Sequence, residues 1–475
     1  MAAVGSAVGL GNIWRFPYVC YQNGGGAFLI PYFVALFTVG IPLLIAEYSI
    51  GSLFRKTAPL AFRKIHKKVE WVGWWGSCAA FFIAVYYCAI MAWCLCYLFH
   101  SINLIWEPNA SHFFYHQFLG MTSSPSFLGG IKGQIALALL VIWTLIYLIL
   151  YKGIRSIGKV VAITVPLPTI FLIILAIRGL TLPGAWDGLE FYLAPDFSKL
   201  VMPSVWLAAY AQIFFSLSLA QGIMIVYASY LKKNSDITNN SFMTALADGG
   251  TAFLAGFAVF SVLGYLGYQT GLPMADIAQG GIGLAFITYP AAIAQMPLVA
   301  PFFGIIFFMA LLTFGIDSAF SMVESITTGL HDKFAISREK ATFIICLIGF
   351  LIGLVLTSGA GIYWVEIMDH FIANFALVFI GLFECLVFAY IFGGEKIRRY
   401  ANNVSEIYIG SWWLIMLKIV APLILIFLAV ASIGELLTEG YESFPPWSLA
   451  VGVFIVAINI LLAYILSRLK CHWVQ

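Results

Sequence analysis

Residues 5–16, Gly-Ser-Ala-Val-Gly-Leu-Gly-Asn-Ile-Trp-Arg-Phe, put a break in the middle of an apolar membrane helix. Gly9 and Gly11 each cost a helix about 1 kcal/mol relative to alanine. Asn12 and Arg15 follow at once, and hydrocarbon rejects such groups strongly. Irregular backbone is tolerated at membrane depth only where it is buried in protein or faces a watery cavity. The break therefore points to a binding site inside a bundle of membrane helices.

The rest of the chain supplies the bundle. Of 475 residues, 62% are apolar and 9% charged, so a water-soluble fold would expose large sticky patches. At about 20 apolar residues per span, the chain holds twelve predicted spans. They lie near 1–20, 26–51, 71–104, 133–151, 157–179, 200–230, 241–268, 301–331, 339–357, 361–392, 409–433 and 447–469. No soluble domain, long linker or cleavable signal peptide is expected, since the first apolar stretch lacks a basic flank. Nothing in the sequence points to nucleic acid; the lipid bilayer is the expected surrounding.

Alternate loops carry the positive charge. Nineteen of the 24 lysines and arginines fall on one side, from Arg55, Lys56, Arg63, Lys64, Lys67 and Lys68 through Lys333, Arg338 and Lys340 to Arg468 and Lys470. The opposite loops hold Asp187, Glu190, Asp196, Asp276, Glu435, Glu439 and Glu442. The positive-inside rule places the basic side, and with it both termini, in the cytoplasm of a plasma or bacterial inner membrane. All cysteines but Cys471 sit in or beside spans, as small apolar fillers do. No disulfide framework is implied. Asn109-Ala110-Ser111 matches the short glycosylation pattern.

A second interruption falls in the sixth span, where Ser216, Ser218, Gln221 and Gly222 punctuate an apolar stretch. Breaks in the first and sixth spans, five apart, are the layout of two inverted five-helix repeats whose discontinuous helices meet near the midplane. The expected organisation is one transmembrane domain over 1–475, with repeats at 1–179 and 200–392 and two accessory helices over 409–469. Half-helix N-termini offer N–H groups to an anion such as a carboxylate. Exposed carbonyls, with Asp, Ser and Asn oxygens, suit a hard cation.

GSAVGLGNIWRFPY, the NGGGAF of 23–28, FFSLS at 214–218 and GIDS at 315–318 together resemble the neurotransmitter:sodium symporter family, with its leucine transporter fold. The resemblance is collinear along essentially the whole chain and is closest in kind to prokaryotic-type amino acid transporters. It implies two sodium sites. The first is implied at the Ala7 carbonyl, Asn12, Ser216 and Asp248, where Asp248 replaces an amide. The second is implied at the carbonyls of Gly5, Val8 and Phe314 with the side chains of Asp317 and Ser318. The residues themselves agree for Asp317, which lies about 15 residues before Asp332, or roughly 22 Å along a helix. An unpaired carboxylate at that depth calls for a bound cation.

The resemblance places the organic substrate among Ser6, Gly9, Leu10, Gly11, Ile83, Tyr87, Phe215, Ser216, Ser218, Gln221, Ser318 and Met322. Its carboxylate would meet the Leu10 and Gly11 amides, the Tyr87 hydroxyl and the first sodium. Monoamine-carrying members have an aspartate where this chain has Ser6, so a neutral α-amino acid zwitterion fits better. Chloride-dependent relatives hold chloride with a tyrosine, a glutamine and two serines. Tyr32, Gln212 and Ser216 match three of these, but the fourth is Ala252. With Asp248 supplying fixed negative charge, chloride is expected to be unnecessary.

The resemblance also implies gates: Arg15 with Asp369 outside, and Tyr230 with Asp332 inside. The third member of the inner latch, an arginine about ten residues before the first break, has no counterpart, and the expectation is a truncated N-terminus. Gly158 and Pro168 match a pattern that some relatives use to unwind the fifth helix. Glu47 and Glu384 are expected to support irregular backbone.

The resulting expectation is sodium-driven uptake of a neutral amino acid by alternating access. The alternatives are transport of a non-α amino acid or osmolyte, a channel, or a membrane protein that binds amino acids without moving them. A channel would want a continuous polar pore, whereas the polar residues here cluster at one depth. No nucleophile–base pair, metal cluster or phosphate loop points to an enzyme.

Overall fold

The computed structural model describes residues 1–278, 280–297, 299–438 and 445–470, without the side chains of Ile154 and Arg155. Glu439, Glu442 and Cys471 lie outside the described residues. Among the described residues, ten helices are long and apolar enough to cross a bilayer: Gly25–Phe54, Lys67–His100, Gly133–Leu150, Ser156–Leu180, Ile237–Thr270, Ala300–Phe334, Arg338–Thr357, Gly361–Val404, Ser411–Thr438 and Pro446–Arg468. They coincide with ten of the expected spans. The other two, the first and the sixth, are present as fragments. Among the described residues there is no β-strand, only an isolated bridge between Ile131 and Ser358.

The first span runs as Ala2–Ala7, Leu10–Trp14 and Phe16–Gln22. Val8 and Gly9 between the first two are extended, at φ −75° and −137°. The sixth runs as Pro203–Ser216 and Ile223–Ser229. Between its halves Ser218, Ala220 and Gly222 all take left-handed conformations, at φ 53°, 62° and 70°. Two of the three carry a Cβ, and such residues cost of order 1–3 kcal/mol each unless their surroundings hold them. Glycine is needed at 222, where a Cβ would also lie 2.8 Å from that of Ala58.

Around these fragments the core is large and aromatic. Trp74 and Trp93, on the helix Glu70–His100, are fully buried, and that helix packs along Ala300–Phe334 through the centre of the molecule. Helices at the periphery instead leave Leu423, Ile426, Val453 and Phe454 exposed. Such a face is stable only against lipid or another apolar surface.

The fifth span stays helical through Gly158 and Pro168, and its only interruption is at Val165, just before Pro166. A proline there lacks the N–H for a helical bond, and helix resumes at Pro166. The segment 104–132 holds short helical turns at Ala110–His112 and Phe113–Phe118. Another stretch between spans forms Gly281–Ala294. These elements are too short to give a spanning pattern in the sequence.

Candidate substrate and ion site

The first break releases backbone that a continuous helix would consume. The Gly9 amide donates to Asn12 Oδ1 at 2.9 Å, and the Leu10 amide donates to the Tyr87 hydroxyl at 3.0 Å. In an unbroken helix these amides would bond the carbonyls of Gly5 and Ser6. The Ser6 carbonyl instead accepts the hydroxyls of Ser218 and Ser318, each at 3.1 Å. One carbonyl thus joins the first break to the sixth span and to the helix Ala300–Phe334.

The unwound stretch of the sixth span is secured in turn. The Ala220 amide donates to Glu47 Oε1 at 2.9 Å. The Gln221 carbonyl accepts the Ser325 hydroxyl at 2.9 Å. Glu47 is thereby a buried acid with a structural partner, as expected of it, and sits outside the cavity.

Every residue expected around the substrate except Leu10 lines one cavity of about 30 Å³, joined there by Ala7 and Asn12. Leu10 is fully buried away from this space, and its amide is already engaged by Tyr87. The lining contains no charged side chain. A volume of this size admits one or two waters, so the walls, Phe215 among them, must part before an amino acid fits.

Beside the cavity, Asn12 Nδ2 donates to Asp248 Oδ1 at 2.7 Å and to its carbonyl at 3.1 Å. The Ser216 hydroxyl donates to Asp248 Oδ2 at 2.7 Å. Three of the residues expected at the first ion site therefore form one buried oxygen-rich cluster. Four of the five residues expected at the second line a separate cavity of about 530 Å³, where Gly5, Val8, Phe314 and Asp317 meet Thr164 and Pro168. Thr164 Oγ1 donates to Asp317 Oδ1 at 2.6 Å. A Cβ added to Gly5 would lie 2.7 Å from Asp317 Oδ2, so only glycine lets backbone and carboxylate approach so closely. Ser318 faces the first cavity instead, through its bond to Ser6.

The family's sequence model, described as the sodium:neurotransmitter symporter family, matches residues 1–112 and 104–473. The chain belongs to this family. It is 43% identical over 471 residues to the uncharacterized sodium-dependent transporter MJ1319 of Methanocaldococcus jannaschii, covering 99% of this chain and 96% of that protein. It is 34% identical to the sodium- and chloride-dependent taurine transporter of Rattus norvegicus, over 95% of this chain and 80% of that one. Identity to the sodium- and chloride-dependent GABA transporter 2 of Macaca fascicularis is 36%, over 86% and 72% of the two chains. The chain is a multi-pass, sodium-dependent transporter, not an enzyme.

In this transporter the expected gate residues are placed as follows. Arg15 and Asp369 line one vestibule of about 520 Å³. Among the described residues they form no ion pair. Arg15 lies over the Phe215 ring at 4.8 Å, and Asp369 accepts the Tyr86 hydroxyl at 2.7 Å. On the other side, the Tyr230 hydroxyl donates to Glu324 Oε1 at 2.7 Å, and Arg338 forms an ion pair with the same carboxylate. Asp332 lies beside Lys56 and Thr57. Sequence reasoning missed Glu324 and Arg338. Glu324 is seven residues beyond Asp317, two helical turns on and so on nearly the same face, which is the signal that could have found it.

Proposed function

We propose that this protein takes up a neutral α-amino acid by sodium symport through alternating access, and that it does so without chloride. The observation that carries the reading is the uncharged lining of the cavity between the two breaks. A lone amine or a lone carboxylate would have no fixed counter-charge there. A zwitterion brings its own, with its carboxylate toward a sodium held by Asn12, Ser216, Asp248 and the Ala7 carbonyl. A second sodium would sit among Asp317, Ser318 and the carbonyls of Gly5, Val8 and Phe314. Substrate contacts are proposed at Ser6, Gly9, Gly11, Ile83, Tyr87, Phe215, Ser216, Ser218, Gln221, Ser318 and Met322.

The proposed architecture counts the ten continuous helices and the two interrupted ones as twelve spans, with inverted repeats at 1–179 and 200–392 and both termini cytoplasmic. Arg15 with Asp369 would close the outer vestibule. Tyr230, with Asp332 on the same side, would belong to the inner closure. Sodium favours one state by binding it better than the other.

Chloride independence is supported by Asp248, whose carboxylate already occupies the Ser216 hydroxyl. The relative at 43% identity is named sodium-dependent only, whereas those at 34% and 36% are named sodium- and chloride-dependent. One observation favours the other reading. The Tyr32 hydroxyl and both polar atoms of Gln212 are buried and without a hydrogen-bond partner among the described residues. Such atoms cost about 1–3 kcal/mol each, which favours a bound species beside them. The taurine and GABA relatives likewise make a non-α amino acid the second substrate reading.

Uptake into proteoliposomes under an inward sodium gradient tests all of this. The panel is the twenty amino acids with taurine and GABA, in chloride or in gluconate. Saturable uptake of a neutral α-amino acid, equal in both anions, is the expected result. Preference for taurine or GABA, or loss of uptake in gluconate, would overturn the corresponding part.

A further inference from the structure

Where the helix Glu70–His100 begins and the helix Pro446–Arg468 ends, a cleft of about 780 Å³ opens between them. Its rim carries Lys67, Lys68, Arg468 and Lys470, all exposed. Among the described residues none of these four has a carboxylate within ion-pairing distance. The one acid in the lining, Glu70, is already taken: Arg63 Nη1 reaches its Oε2 at 2.9 Å and Lys333 Nζ its Oε1 at 2.5 Å. Among the described residues, the charges of the cleft that are not paired are therefore all positive.

It is also rigid. Lys333 Nζ, fully buried, donates to the carbonyls of Leu466 and Ser467 at 2.6 and 3.0 Å. That cap satisfies the negative end of the last helix and clips it to the helix Ala300–Phe334. Trp71 forms the floor, stacked on Trp75 at 5.7 Å. From the cleft an apolar stripe runs outward along the last helix through Leu469, Ile465 and Leu461, all exposed and one helical turn apart.

We propose that this cleft binds the phosphate headgroup of an anionic phospholipid, with its acyl chains on the Leu461–Ile465–Leu469 stripe. The two ends of the site match the two ends of that molecule. Basic pockets between spanning helices are suited to such headgroups, with each cation contributing about five-fold in affinity. A soluble phosphate would use the cations but not the stripe, and so is the weaker candidate. The inference is independent of the amino acid transported and of chloride.

The test uses the full chain in detergent, with native mass spectrometry to count bound dioleoylphosphatidylglycerol against dioleoylphosphatidylcholine. The wild-type protein should retain phosphatidylglycerol selectively. Lys67→Gln/Lys68→Gln/Arg468→Gln should weaken it by about a hundred-fold, given about five-fold per cation. A control, Lys232→Gln/Lys233→Gln, removes two exposed cations elsewhere and should retain the lipid. Equal retention by all three proteins, or equal loss in the control, overturns the proposal. So does displacement of the lipid by millimolar glycerol phosphate, which would mark the occupant as soluble. Should the triple variant not fold, reductive methylation of wild-type Lys67 and Lys68 decides. Protection by phosphatidylglycerol but not phosphatidylcholine supports the site, and no protection overturns it.

Discussion

The Glu47 carboxylate accepts the amide proton of Ala220 at 2.9 Å, across 173 residues of chain. Ala220 stands at φ 62°, in the middle of the unwound stretch of the sixth span. A buried acid thus replaces the hydrogen bond that the missing helical turn would have made. Removing it in Glu47→Ala should leave a buried donor unpaired, at about 1–3 kcal/mol. Thermal unfolding in detergent should show a clear drop in Tm together with weaker substrate binding. Glu47→Gln, which keeps an acceptor oxygen, should lose less on both counts.

At Asp248 the charge matters more than the shape. Asp248→Asn keeps the size of the side chain and a possible bond to Ser216, but removes the negative charge beside Asn12. Uptake by this variant should become chloride-stimulated by several-fold, while the wild-type protein stays indifferent. Anion replacement in proteoliposomes measures both, and a variant equally active in gluconate would argue against the charge-substitution account.

Gly9 tests the cavity sterically. A Cβ there would lie 2.8 Å from Ser318 Oγ and 3.0 Å from the Tyr87 hydroxyl. Both neighbours hold other backbone, so neither moves freely. Gly9→Ala should cost more than ten-fold in substrate affinity with little change in Tm, read by equilibrium binding and unfolding side by side.

Thr164 competes for the carboxylate that the second sodium is proposed to use. Its hydroxyl donates to Asp317 Oδ1 at 2.6 Å. Hydrogen bonds to charged groups are worth about 1.5–3 kcal/mol, so Thr164→Val should tighten sodium binding by about ten-fold or more. A sodium titration of substrate binding reports the shift, and weaker sodium binding would mean that the hydroxyl helps to hold the ion.

Lys333 and Glu70 form a pair shielded from solvent, with side-chain exposures of 0% and 2%. Breaking one partner of such a pair is strongly destabilising. Arg63 still reaches Glu70, which places Lys333→Met near the low end, about 3 kcal/mol. Adding Glu70→Gln should recover part of the lost Tm, because the uncompensated charge is then gone.

Much of this molecule is legible from local sequence. Length and apolarity locate ten continuous helices, since lipid demands about 20 apolar residues whatever the tertiary fold. The breaks are equally visible, because Gly9, Gly11, Ser218 and Gly222 weaken a helix wherever they stand. What stays hidden is pairing across distance. Lys333 reads as one more loop cation of the positive side, yet it is buried and caps a helix 133 residues away. Arg338 reads the same way, yet it pairs with Glu324. Local composition carries no record of which acid a base will meet. Arg15 and Asp369 lie in the same vestibule, yet among the described residues they form no ion pair, and nothing in the spacing of the two residues says so.

The Ser6 carbonyl takes two hydroxyls, from Ser218 and Ser318, that arrive from different helices. Moving Ser6 would strain both bonds at once, whereas moving Ser218 or Ser318 would strain only its own. Of the three, Ser6 is therefore the one whose displacement is felt by both of the other helices.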